Sequence, residues 1–161
     1  MIVTPTLIAF LMLVFALVFI FARSIDKRWW VAFGIAIVGT PIFYFYVFYP
    51  FINIFSSYHH KKYFDASNWT DKPALRYEMS DHLMDANLLL NKDKAAIKDM
   101  LGKSDWFGWD DSIKANSDNI WNYNLGFKPG AFNMNQENLE LIFKDNRVIA
   151  VKQYQIEKTF E

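Results

Sequence analysis

The chain has 161 residues, with 17 Lys and Arg against 17 Asp and Glu, and no cysteine. The missing cysteine excludes disulfides, thiolate metal sites, a Cys nucleophile and an anchor that needs a lipidated Cys. The neutral total hides two unlike halves: residues 1–62 carry five basic side chains and one acidic one, whereas residues 63–161 carry twelve and sixteen. A mildly acidic second half argues against nucleic acid as a partner, because phosphate binding needs a basic face.

Residues 1–22 hold no charged side chain. From Leu7 to Ala22 the run is apolar throughout, and Pro5 near its start suits the first turn of a helix. The run predicts a transmembrane helix over about 5–22, at the short end of what crosses a hydrocarbon core of ~30 Å. A cleaved signal peptide is the competing reading. The lack of a basic leader and the length of the apolar run count against it.

Residues 29–58 also lack Lys, Arg, Asp and Glu. They predict a second span over about 29–54. Trp29 and Trp30 lie at one end and Tyr49 and Tyr58 at the other, with Lys61 and Lys62 just beyond. Aromatic and basic residues of this kind favour the headgroup level, so these six are the candidate membrane-interface residues. Pro41 can kink the span, and Pro50 marks its exit. The loop Arg23–Arg28 is short enough to force a hairpin. Its three basic residues place it in the cytoplasm, with both termini outside. In a bacterium this is an inner-membrane protein with a periplasmic domain. His59-His60-Lys61-Lys62 reads as a basic collar at lipid headgroups.

Residues 63–161 predict one small soluble α+β domain. Tyr63–Trp69 looks like an extended lead-in. Asp71 as cap and Pro73 in the first turn predict a helix over 73–86, with Leu75, Met79, Leu83 and Ala86 at helical spacing. Asn91 can cap a second helix that carries Ala95, Ile97, Met100 and Leu101 and ends at Gly102. Residues 103–118 are turn-rich. Residues 119–125 alternate, with Trp121, Tyr123 and Leu125 on one face. Leu139, Leu141 and Phe143 alternate again, Asp145-Asn146 makes a tight turn, and Val148, Ala150, Tyr154 and Ile156 return on one face. The expected plan is two helices on a three-stranded antiparallel sheet.

The segment Leu90–Asp105, with its Leu101-Gly102 ending, resembles the BamE/SmpA-like domain family, and Trp121–Gly126 and Leu139–Val148 are similar to its strands. Asn91 stands where that family usually has a Gly, and no Pro follows Leu101-Gly102. A two-helix membrane anchor stands where the best-known members carry a lipid. The resemblance covers roughly residues 73–156. It implies a two-helix, three-stranded domain and a non-catalytic module that docks on other proteins, as an accessory or assembly subunit of an envelope complex. A looser likeness to small inhibitor proteins leaves an inhibitor or immunity-type role as the alternative.

No catalytic set is expected. Glu78 and His82 stand one helical turn apart, the spacing of an ordinary solvated helix pair. Asp105, Asp110, Asp111 and Asp118 do not match an EF-hand loop and read as a solvated acidic region. No phosphate-cradling Gly loop and no nucleophile with a base are present. Neither span holds a charge, and Asn53 is the only strongly polar residue near the second, so a channel or pump is not expected. The expectation is a protein without catalytic residues, metal, cofactor or small-molecule substrate, whose partners are the lipid bilayer and other membrane or envelope proteins. The candidate partner interface is aromatic: Trp106, Phe107, Trp109, Phe127 and Phe132.

Overall fold

A computed structural model describes residues 1–158; residues 159–161, the last three of the expected soluble domain, lie outside the described residues. The chain divides into two compact units. One comprises residues 2–60 together with Pro129–Phe132, and the other Lys61–Lys128 together with the chain from Asn133 onward.

In the first unit, α1 (Pro5–Ile25) begins as its residues dictate. Thr4 caps it by accepting the Leu7 N–H, and Pro5 occupies the first turn, where its missing donor does no harm. The second apolar helix opens as α2 (Trp29–Phe43), passes through a π-helical segment (Tyr44–Phe48) and closes with α3 (Tyr49–Ile52). Pro41 and Pro50 flank the π segment. Each lacks a backbone donor, and the wider turn relieves the ladder between them. Pro50 lies in the closing turn, at the second position of α3, and the helix ends at Ile52.

The two helices meet along small residues. Ala32, Ala36 and Thr40 recur every four positions on α2 and are buried, as are Leu7, Val14, Val18 and Ala22 on α1. The Thr40 hydroxyl donates to the Ala36 carbonyl (2.6 Å), so its polar atom is satisfied within its own helix. Small side chains at helical spacing let two backbones approach closely.

The second unit is α+β. Its strands β1 (Trp106–Asp110), β2 (Ala115–Phe127), β3 (Asn135–Lys144) and β4 (Arg147–Glu157) form one antiparallel sheet in the order β1-β2-β3-β4. Trp121, Tyr123 and Leu125 do share one face, and they pack with Leu139, Leu141 and Phe143. Asp145 and Asn146 both take positive φ in the β3–β4 turn, as a tight hairpin requires.

Four details differ from the sequence reading. The sheet has four strands, because residues 106–110 pair with β2 instead of forming part of a turn-rich loop. Three aromatics and a glycine in five residues hid the strand's alternation. The first helix is broken. Asp65 caps α4 (Ala66–Asp71) within the expected extended lead-in, Pro73 opens a 3-10 turn (Pro73–Leu75), and α5 spans Tyr77–Asp85. Asp93, not Asn91, caps α6 (Lys94–Leu101), because Asn91 itself sits in the left-handed region (φ 62°). Finally, a bulge opposite Phe143 flips the parity of β4. Val148 and Val151 face the core, while Ala150, Tyr154 and Ile156 lie on the other face.

The core joins the helices to the sheet through Trp69, Met79, Leu83, Ile97 and Leu101. Its two largest aromatics also satisfy the end of α6. Trp69 Nε1 donates to the Leu101 carbonyl (3.1 Å) and Tyr123 Oη to the Gly102 carbonyl (3.1 Å). These carbonyls have no helical partner of their own. Gly102, at φ 79°, ends the helix as expected.

Arg76 ties three separate stretches together. Its guanidinium donates to the Trp69 carbonyl (2.9 Å), the Asp105 carboxylate (3.2 Å) and the Asn124 carbonyl (3.2 Å), and it lies over the Trp69 ring. Arg76→Met keeps the stem's bulk but leaves two backbone acceptors and a carboxylate without this donor. We expect a loss of about 2 kcal/mol, measured as a thermal midpoint lowered by roughly 10 °C in the full-length chain.

Candidate functional site: the aromatic surfaces

The five aromatic residues singled out from the sequence do not form one patch. Trp106, Phe107 and Trp109 lie on β1, an edge strand; Phe127 ends β2, and Phe132 lies in the loop that follows. Trp106 pairs with Asn122, whereas Phe127 pairs with Gln136, five residues further along β2. At ~3.4 Å per residue that separation is ~17 Å. Phe132 belongs to the unit that contains the apolar helices.

β1 supplies the denser cluster. Its register breaks between Phe107 and Trp109, at Gly108. Glycine is needed at the break: a Cβ at Gly108 would collide with the Ile120 side chain and with Asn122 Nδ2. The bulge carries Trp109 onto the face of Asn116, while Phe107 stays level with Trp121. Trp106, Phe107 and Trp109 are 37%, 43% and 58% exposed, and Ile113 in the next turn is also exposed. One strand thus presents three large rings to solvent, and among the described residues no strand pairs with its outer edge.

An acidic rim borders this edge, but its carboxylates do not converge. Asp105 accepts from Arg76 and from the Asn124 N–H, Asp111 from Trp109 Nε1 (3.0 Å), and Asp118 pairs with Lys94. Asp110 takes the Ser112 hydroxyl (2.6 Å) and backbone N–H (2.9 Å), which hold its carboxyl below the usual range. Among the described residues no group of three His, Asp or Glu side chains is arranged to hold a metal ion.

Glu78 and His82 take different partners. Glu78 pairs with Lys62 (2.6 Å), while His82 Nδ1 accepts the Phe64 N–H (3.1 Å) and its ring meets Tyr63 edge-on. Both groups fasten the segment after residue 60 to α5. A shallow apolar cleft of about 210 Å³ lies nearby, lined by Leu83, Met84, Asn87, Leu90 and Val151. That is below the usual size of a ligand pocket, ~300–1,000 Å³.

The membrane-interface candidates also divide. Trp29 and Trp30 are exposed at the start of α2. Tyr49 and Tyr58 pack around His60, with Tyr49 stacked on its ring (centroids 4.6 Å apart) and buried Tyr44 hydrogen-bonded to His60 Nε2 (2.9 Å). Lys61 and Lys62 engage Asp81 (2.7 Å) and Glu78 while keeping about two-fifths of their side-chain surface exposed. The sequence carried no signal for the Tyr44–His60, Lys61–Asp81 and Lys62–Glu78 pairings, whose partners lie 16 or more residues apart.

Both apolar helices are long enough to cross a membrane, and only 22% of each hydrophobic window is buried. An open apolar groove of about 730 Å³ runs between them, lined in part by Leu11, Phe15, Ile37 and Pro41. Two candidate membrane-spanning helices near the N-terminus are compatible with a membrane anchor. Compared with family models, curated proteins and solved structures, the chain matches none of them.

Proposed function

We propose that this chain is a non-enzymatic, membrane-anchored protein-binding module, an accessory or assembly subunit of a cell-envelope complex. The supporting observation is the unpaired edge strand β1 with Trp106, Phe107 and Trp109 exposed. Exposed hydrophobic edges invite strand pairing, and soluble proteins ordinarily blunt them with charge, Pro or a covering element. A partner that adds a strand here would satisfy the free backbone groups and cover the rings. The acidic rim favours basic residues flanking that strand.

The anchor is the hairpin of α1 and α2–α3. In water its outward Leu, Ile and Phe side chains would cost far more than a helical pair of this size gains from its own packing. In hydrocarbon the same surface is favourable, and helices satisfy every backbone group internally. The basic loop between the helices points to an inner-membrane protein whose folded domain is periplasmic. The BamE/SmpA-like resemblance supports this reading from the sequence alone; the additional helix α4 and strand β1 depart from that family's two-helix, three-stranded plan.

Gentle detergent extraction of the tagged full-length protein, followed by identification of what accompanies it, tests this reading. We expect a stoichiometric envelope complex. Trp106→Ala and Trp109→Ala should each weaken capture by about 2 kcal/mol, roughly 30-fold, as interface tryptophans do. Trp109 is mostly exposed, so its variant should keep the thermal midpoint. Undiminished capture by both variants removes β1 from the interface. Recovery of a toxin or hydrolase would favour the inhibitor role. Turnover of a substrate by the purified protein, abolished by one polar substitution, would overturn the non-enzymatic reading.

A further inference from the structure

Among the described residues Phe132 is the most exposed large apolar residue, at 85%. It does not sit on a slack loop. Pro129 restricts the backbone, and Gly130 turns it at φ 150°. Asn133 closes the base by donating from Nδ2 to the Lys128 carbonyl (2.8 Å) and accepting the Asn135 N–H at Oδ1 (3.0 Å). The fold therefore holds this ring outward by construction, and the ring contributes little to the fold in return.

The position of the loop is set by one backbone contact. The Ala131 N–H donates to the Asn53 carbonyl (3.0 Å), and Asn53 directly follows Ile52, where the second apolar helix ends. Pro129–Phe132 accordingly belongs to the compact unit of the hairpin. Around the same helix end, Phe51, Ile54 and Phe55 are 61%, 41% and 79% exposed. Phe132 thus follows a residue bonded at a helix end that already carries exposed apolar side chains.

We propose that Phe132 inserts into the lipid bilayer beside the exit of the second span, making the β2–β3 loop a third membrane contact of the chain. The inference rests on the hairpin reading above and adds that the folded domain's own loop enters the lipid. The partner is the bilayer because the loop is hydrogen-bonded one residue past the helix end. That is the headgroup level, where aromatic side chains concentrate. A protein partner would have to reach the ring at the depth that lipid already fills.

The chain's lack of cysteine makes the test direct. Single cysteines are placed at position 132 (Phe132→Cys), at mid-helix Ile37→Cys and at the Asp145→Cys turn. Each is spin-labelled in the full-length protein in phosphatidylcholine–phosphatidylglycerol liposomes. Collisions with dissolved oxygen and with a water-soluble nickel chelate report depth. We expect the label at 132 to lose most nickel collisions relative to 145, which behaves as in water, and to keep oxygen collisions, at a depth shallower than 37.

A nitroxide could insert by its own apolarity, so a second pair keeps the native ring: Ala131→Cys with Phe132 intact and with Phe132→Asp. Nickel collisions at 131 should rise in the aspartate variant. Equal values in the pair overturn the proposal, as does a water-like label at 132 while 37 is in lipid. A label at 132 shielded from both reagents points to a protein contact and likewise overturns it. A water-like label at 37 removes the hairpin reading and this inference with it.

Discussion

Gly126→Ala should be the most damaging single-methyl change in the folded domain, lowering its stability by about 4 kcal/mol and its thermal midpoint by roughly 20 °C. Two independent causes add. Gly126 has φ +90°, where an L side chain is strained, and a Cβ there would run into the Ala74 carbonyl group. The obstacle is backbone of the 3-10 turn, so it cannot swing aside as a flexible side chain would. The site is also where the β2–β3 register shifts between Asn124 and Gly126, and the Gly126 N–H is held by Asn124 Oδ1 (2.8 Å). Relieving the clash means moving β2 away from the turn that carries Arg76. Thermal unfolding of the full-length protein in detergent, followed by tryptophan fluorescence, measures the loss. A midpoint within a few degrees of the parent would mean that the turn yields easily.

The position illustrates what the sequence could and could not convey. From the sequence Gly126 reads as the start of a loop after residues 119–125, whereas it lies within β2, paired with Glu137. What makes it irreplaceable is Ala74, 52 positions earlier in the chain. Local signals were legible wherever the deciding contact was also local. Asp145-Asn146 needed only their tolerance of positive φ, and Gly102 only its place after a helical repeat. Trp121, Tyr123 and Leu125 needed only the period of a strand. Both apolar helices were legible because sixteen or more uncharged residues have one cheap environment.

The misplaced features depended on competition between signals. Asp65 and Asp71 are both acceptable caps, and Asp65 prevails because α4 can then bury Trp69 against α6. Asn91 lost its capping role to Asp93, whose Oδ1 takes the Ala96 N–H (2.8 Å). The bulge opposite Phe143 leaves no mark in a single sequence, yet it reassigns the side of the sheet for every residue of β4 after Val148. The aromatic site was half legible. Its residue types were evident, but only the pairing of β1 separates Trp106, Phe107 and Trp109 from Phe127 and Phe132.

Glu137→Gln is expected to cost about 3 kcal/mol near neutral pH, an effect out of proportion to the exchange of one oxygen for an amide nitrogen. Glu137 sits on the core-facing side of β3, 2% exposed. Gln153 Nε2 donates to its Oε2 (2.8 Å), Gln155 Nε2 to its Oε1 (2.6 Å), and Lys128 Nζ lies 3.1 Å from Oε1. Burial pushes the carboxyl up, but the three donors and the lysine's charge pull it down further, and the net shift is below the ordinary 4.5. Only a carboxylate offers acceptors to all three donors; a glutamine turns an N–H₂ toward at least one of them. The same network sets the pH dependence. Because the folded value lies below the unfolded one, the stabilisation is complete above pH ~4.5 and fades as pH falls through the folded value. Thermal midpoints of parent and Glu137→Gln should therefore differ most near neutrality and converge as the pH falls through the folded value. A constant difference across that range would show that Glu137 does not titrate with folding. Lys128, the charged member of the network, is the residue immediately before the Pro129–Phe132 tip. Charge neutralised at Glu137 thus loosens the support at the base of the loop that presents Phe132.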